Sequence, residues 1–193
     1  MKRIAIFASG EGTNTQKIID YFKANRKADV AIIISNRPQA FVLERAKKSD
    51  IPTFIVNKTE FYQNNQISEL LKEKNIDLIV LAGFLWQIPE SLIKNFHGKI
   101  INIHPALLPK FGGKGMYGYH VHRAVIDAGE KESGITIHYV NERYDEGEVI
   151  FQAKCPVEKN DTPETLAQKI HLLEHEFYPE IIERVLLGNT YNK

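Results

Sequence analysis

The chain has 193 residues, of which 25 are Lys or Arg, 24 are Asp or Glu, and 43% are apolar. The formal charge of +1 gives no basic field that would gather nucleic acid without specificity, and the apolar share is ample for the core of one folded domain. One cysteine, Cys155, excludes an internal disulfide and a cysteine-built zinc cluster, which fits a cytoplasmic setting.

The first apolar run, Ile4 to Ala8, is too short for a signal-peptide core and passes straight into a glycine loop. No segment approaches the roughly 18 apolar residues of a membrane span, so neither a leader nor an anchor is expected. Residues 3–8 (RIAIFA) read as a buried strand. Residues 13–25 read as a helix with Ile18, Ile19 and Phe22 on one stripe. A strand at 29–35, a helix at 40–49, a strand at 52–56, a helix at 60–75 and a strand at 77–83 follow. Next come a short helix at 89–96, a strand at 98–104, a glycine-rich loop at 109–120 and a helix at 120–128. A later strand pair is expected at 134–140 and 147–157. A long helix spans 162–187, with Pro163 in its first turn and Pro179 expected to kink or interrupt it. The tail NTYNK is expected to fray.

Near-continuous Ile/Val/Leu strands separated by helices predict an α/β fold: a doubly wound, mostly parallel sheet with flanking helices, its later strands partly antiparallel. Ligands of such sheets bind beyond the carboxyl ends of the strands. That rule selects the loops at 9–14 and 83–88 and the strand end at 102–109.

ASGEGTN (8–14) places glycines between a strand and a helix start, where backbone N–H groups suit a phosphate. Thr15 stands where a dinucleotide loop has its third glycine, and Ser35 and Asn36 end the second strand without an acid for a ribose diol. NAD is therefore not expected, and a P-loop signature is absent. A plain tight turn needing glycine remains open for this segment. AGFLWQIPE (82–90) brings Phe84, Leu85, Trp86 and Ile88 to the ligand edge, either as a wall for a flat ring or as ordinary core.

NIHPALLP (102–109) carries the sharpest signal. Asn102 and His104 are two apart on a strand and so share a face. An imidazole serves as general acid or base and an amide N–H serves a developing oxyanion, whereas a lone strand-end histidine is more often structural. Asp145, in a turn set by Gly147, would raise the pKa of a nearby imidazole, but spacing alone does not bring it to His104. His120 with His122, and His171 with His175, have paired spacings without an evident third metal ligand.

In order, FASGEGTN, VLAGFLWQIP, INIHPALLPKFGG, DEGEVIFQ and LEHEFYP resemble the folate-dependent phosphoribosylglycinamide formyltransferases, from Ile4 to about Leu187. The N-x-H-P-x-L-L-P segment with a downstream D-x-G is specific to the wider folate formyltransferase group. The resemblance implies one formyltransferase domain over 1–193, with 1–104 as its nucleotide-phosphate half and 105–193 as its folate side. It implies transfer of a formyl group from 10-formyltetrahydrofolate to the amine of glycinamide ribonucleotide in purine synthesis, without metal or ATP. The partners implied are these small molecules alone, with no nucleic acid or membrane, for a monomer or homodimer.

Residue by residue, the family's catalytic Asn, His and Asp fall on Asn102, His104 and Asp145. Its substrate-phosphate loop falls on Gly12, Thr13 and Asn14, and a ribose-contacting glutamate on Glu174. Its folate loops fall on Leu85, Trp86, Gln87 and Ile88, and on Asn141, Glu142, Arg143, Tyr144 and Asp145, with Asn102 also on the folate side. The chain departs from many members in having Leu85-Trp86 where they have Met-Arg, in a longer stretch at 111–123, and in lacking a folate-facing arginine within EFYQNNQ. Other classes are a 10-formyltetrahydrofolate hydrolase, a sugar-nucleotide N-formyltransferase and a non-catalytic phosphate-binding module.

Overall fold

The computed structural model describes residues 1–188; the tail NTYNK, expected to fray, lies outside them. Seven strands form one sheet: β1 (Lys2–Phe7), β2 (Ala28–Ser35), β3 (Thr53–Ile55), β4 (Leu78–Leu81), β5 (Ile100–His104), β6 (Glu132–Tyr139) and β7 (Val149–Pro156). Their spatial order is β3-β2-β1-β4-β5-β6-β7. The first five are parallel, whereas β6 pairs antiparallel with β5 and β7 with β6. The expected parallel sheet with a partly antiparallel end is what forms.

The helices are α1 (Thr13–Asn25), α2 (Val42–Lys48), α3 (Lys58–Tyr62), α4 (Gln66–Glu73), α5 (Glu90–Asn95), α6 (Tyr119–Asp127) and α7 (Pro163–Leu186). The alternation of β1 shows how they are shared out. Ile4 and Ile6 pack in a core with Ile18, Val42, Val125 and Tyr178, from α1, α2, α6 and α7. Ala5 and Phe7 pack on the other side with Phe61, Leu71 and Leu92, from α3, α4 and α5. Both faces are covered, and so the strands read as unbroken apolar runs.

Two expectations are corrected. The helix expected over 60–75 is two helices. Asn57 closes a capping box with Glu60 at the first, and the Asn64 side chain accepts the Gln66 N–H at 3.1 Å to restart the second. The run Gln63-Asn64-Asn65 offers the backbone side-chain partners in place of helix continuation. Pro179, in turn, does not interrupt the last helix, which runs unbroken through it. Proline deprives only the carbonyl four residues back of its donor. Around it Tyr178, Ile181 and Ile182 are buried, and the Tyr178 hydroxyl donates to the Leu81 carbonyl at 2.9 Å.

The chain leaves β1 to one side for β2 and β3, then returns to place β4 and β5 on the other. The resulting crevice lies at the carboxyl ends of β1 and β4, as expected for such a switch point.

Candidate active site

Beyond those strand ends lies a cavity of about 570 Å³. Its wall includes Thr13 and Asn14 from the start of α1, the segment Gly83–Ile88 after β4, and Asn102 and His104 from β5. Asn141, Arg143, Tyr144, Asp145 and Glu174 also face it. Of the residues expected from sequence, Gly12 and Glu142 stand just outside the lining. Gly12 instead caps α1 at φ 70°, where a Cβ would meet Val42 Cγ2 at 2.5 Å. Glu142 contributes its carbonyl, which accepts the Gln87 amide at 3.0 Å and ties the two expected folate loops together.

His104 is buried and held at one ring nitrogen. Nε2–H donates to the Phe111 carbonyl at 2.8 Å, which leaves Nδ1 facing Asp145 Oδ2 at 3.5 Å. Their separation of 41 in sequence is closed by the β5–β6 pairing and the loop that follows. Asp145 sits at φ 56° and accepts the Gly113 N–H at 2.9 Å. Gly147 permits that loop by close approach: a Cβ there would lie 1.6 Å from the Tyr139 carbonyl oxygen.

The electrostatics partly reverse the expectation. Burial pushes the His104 pKa down and outweighs the upward pull of Asp145 and the Phe111 carbonyl, so the imidazole lies below its ordinary range. Asp145 acts with the expected sign but does not win. Its own carboxyl is pushed up by burial, yet the two flanking imidazoles and the Gly113 N–H more than offset this, and it stays ionised. The resting pair is thus a neutral imidazole beside a carboxylate.

Asn102 has a partner that sequence reading missed. In the β5–β6 register Asn102 lies opposite His138, and Asn102 Nδ2 donates to His138 Nε2 at 3.1 Å. His138 Nδ1–H donates to the Tyr139 carbonyl at 2.9 Å, which leaves Nε2 as the acceptor. Asp145 Oδ1 lies 3.6 Å from that Nε2, beyond hydrogen-bond length. His138 therefore orients the Asn102 amide, and the second amide N–H is left for a ligand. Its only sequence signal was its strand parity in GITIHYV; the register across 36 residues was needed to pair it. One step along, Thr136 opposite His104 donates to the Ala106 carbonyl at 2.6 Å and accepts the Leu108 N–H at 3.0 Å, fixing the turn after β5.

The two ends of the cavity differ in chemistry. At one, Phe84, Trp86, Phe61 and Tyr62 make tilted and edge-on ring contacts between 5.1 and 6.3 Å, and the Tyr62 hydroxyl donates to the Gln87 carbonyl. At the other, the start of α1 has no side-chain cap, so its first N–H groups are open to an anion. Glu174, on α7, is buried there and accepts the Asn14 amide at 2.9 Å. Burial raises its pKa, only partly offset by Asn14 and His171. The Ser9 hydroxyl donates to Asn36 at 2.6 Å and accepts the Leu85 N–H at 3.0 Å, tying the loop after β4 to the end of β2. Among the described residues, no group of three His, Cys, Asp or Glu is placed to hold a metal, and no helix is long and apolar enough to cross a membrane.

The formyl transferase family model matches residues 2–182. A phosphoribosylglycinamide formyltransferase of Bacillus subtilis is 42% identical over 201 aligned positions, covering the whole of both chains. The chloroplastic enzyme of that name from Arabidopsis thaliana is 39% identical over 94% of this chain, which spans 64% of its length. In structure, the Bacillus halodurans phosphoribosylglycinamide formyltransferase superposes with a TM-score of 0.87 at 40% identity, covering 100% of each chain.

Proposed function

The chain belongs to the formyl transferase family, and from that premise we propose that it transfers the formyl group of 10-formyltetrahydrofolate to the amine of glycinamide ribonucleotide, a step of purine synthesis in the cytoplasm. The observation that carries this reading is a single cavity whose wall combines three parts: an uncapped helix start that suits a phosphate, an aromatic loop that suits a pterin, and Asn102, His104 and Asp145.

In this reading Thr13 and Asn14, with Gly12 shaping their turn, hold the nucleotide phosphate. Glu174 accepts from the ribose hydroxyls. Leu85, Trp86, Gln87 and Ile88, with the 141–145 loop, hold the folate. The neutral amine attacks the formyl carbon, an N–C bond forms, and the carbonyl oxygen becomes an oxyanion. The free Asn102 N–H donates to that oxygen. Losing such a donor typically costs about 2.7–4 kcal/mol of barrier. His104 takes the proton that the amine sheds, and the Asp145 carboxylate stabilises the imidazolium so formed. That proton then passes to the folate nitrogen as its bond to the formyl carbon breaks. Alignment of amine and formyl carbon supplies much of the remaining rate.

The test is formyl transfer from 10-formyltetrahydrofolate to glycinamide ribonucleotide, with hydrolysis followed in the absence of the nucleotide. Transfer that depends on the nucleotide, and is lost with its dephosphorylated form, is the expected result. Hydrolysis at the same rate with or without nucleotide would sink the reading.

A further inference from the structure

His122 has no task in the reaction just described, yet it stands in the cavity wall. It belongs to α6, just after the glycine-rich loop, and is only 3% exposed. Val121 and Val125 of the same helix are buried as well. Its Nδ1 is sealed from solvent and, among the described residues, has no hydrogen-bond partner. A buried polar atom in that state is uncommon and calls for a reason.

The ring chemistry narrows that reason. A neutral imidazole carries one N–H and one lone pair. A stranded N–H is rarer in folded proteins than an under-used acceptor. The proton therefore belongs on Nε2, the nitrogen that is not sealed, and the lone pair is what Nδ1 leaves unused. Burial, with smaller effects from His171 and His104, pushes the His122 pKa down to about 4, so the ring stays a neutral donor at neutral pH.

Its place along the cavity indicates what it meets. The same cavity wall carries His104, at the transfer centre, and His171, one helical turn from Glu174, so His122 shares one cavity with both. If the phosphate and ribose of glycinamide ribonucleotide occupy Thr13–Asn14 and Glu174, and its amine reaches His104, the group between them is the carboxamide. That group offers a carbonyl acceptor. We infer that His122 is a substrate-binding residue whose Nε2–H donates to the carboxamide oxygen of the nucleotide and so aims the amine at the formyl carbon. This rests on the reading proposed above.

The contact contributes in two ways. It gives affinity for a substrate that has the carboxamide, and it fixes rotation about the bond that carries the amine. An unpaired Nε2–H in the cavity would penalise a nucleotide lacking the carbonyl. His122 thereby distinguishes glycinamide ribonucleotide from ribose phosphates that satisfy the phosphate and ribose contacts alone.

The experiment compares the wild-type protein with His122→Gln, which keeps an N–H donor, and His122→Phe, which keeps bulk without one. Steady-state kinetics with glycinamide ribonucleotide are paired with calorimetric binding of ribose 5-phosphate. His122→Phe should raise KM about tenfold, the loss of one hydrogen bond, and lower kcat as well. His122→Gln should recover most of both, and all three proteins should bind ribose 5-phosphate alike. A folded His122→Phe with wild-type KM and kcat would overturn the inference, as would an equal loss of affinity for ribose 5-phosphate. Should His122→Phe fail to fold, a nitrogen NMR titration of the wild-type protein decides: the His122 Nε2 resonance should move with glycinamide ribonucleotide and not with ribose 5-phosphate. An Nδ1–H tautomer, or a resonance indifferent to the nucleotide, rejects the contact. Wild-type protein without nucleotide-dependent transfer would instead reject the underlying function, so the two failures are distinguishable.

Discussion

The transfer centre and the nucleotide end of the same cavity are built on opposite terms. At the centre, His104, Asn102, His138 and Asp145 are held by each other and by the Phe111, Tyr139 and Gly113 backbone. At the nucleotide end, Asn14 Oδ1 is buried without a partner among the described residues, and Glu174 is a carboxyl whose charge burial opposes. The centre is pre-organised for a bond change that must happen in one geometry. The nucleotide end carries polar groups whose satisfaction awaits a ligand, and it trades stability for binding.

The largest effect should come from breaking the centre. His104→Ala removes the proton acceptor and frees the Phe111 carbonyl, while opening little core at a strand end. Turnover should fall about 10²–10⁴-fold, the usual contribution of a positioned acid–base group. The thermal midpoint should move far less than the rate. Near-normal turnover by a folded variant would return His104 to a structural role.

Asp145→Asn should cost less, on the order of 10²-fold at the lower edge of the same range, because it alters the proton affinity of His104 without removing it. Here the direction of the pKa change is the sharper readout. Burial already holds His104 low, and Asp145 opposes burial. Removing the carboxylate charge should lower the His104 pKa further in an NMR titration. A rise, or no change, would show that the 3.5 Å approach carries no electrostatic coupling.

Legibility in the sequence followed the range of the physics. The parallel half of the sheet was readable because each strand's burial is a local apolar run, and each ligand loop sits where its strand stops. Asn102 and His104 were readable as a pair because strand parity is local. His138 was not, since its role depends on a register between strands 36 residues apart. The gap at 63–65 was misread because side-chain capping overrode the pattern along the chain, and of the kink or interruption expected at Pro179 the interruption does not occur. The low pKa of His104 was out of reach as well, since burial is a property of the whole fold.

The smallest effect concerns stability and probes the nucleotide end directly. Glu174 has a folded-state pKa raised above its unfolded value, chiefly by burial. The stability that goes with its neutral form is present below the unfolded value of about 4.3 and is lost as pH rises through the folded pKa. Glu174→Gln keeps an oxygen for the Asn14 amide and stays neutral at every pH. The variant should therefore melt higher than wild type at pH 8, with the difference closing toward pH 4. For a chain of this size, 1 kcal/mol corresponds to about 2–4 °C. His122 works the other way. Its folded pKa of about 4 is depressed, so its stability is present above about 6.5 and is lost as pH falls toward 4. That loss occurs in both proteins, and the comparison at each pH cancels it to the extent that the two sites do not interact. The same substitution should weaken nucleotide binding, since Gln offers the ribose hydroxyls one neutral acceptor in place of a carboxylate. A variant that melts higher at pH 8 and binds the nucleotide less tightly identifies Glu174 as a group kept for its ligand. A melting difference that does not change with pH would place it with the ordinary carboxylates of the surface.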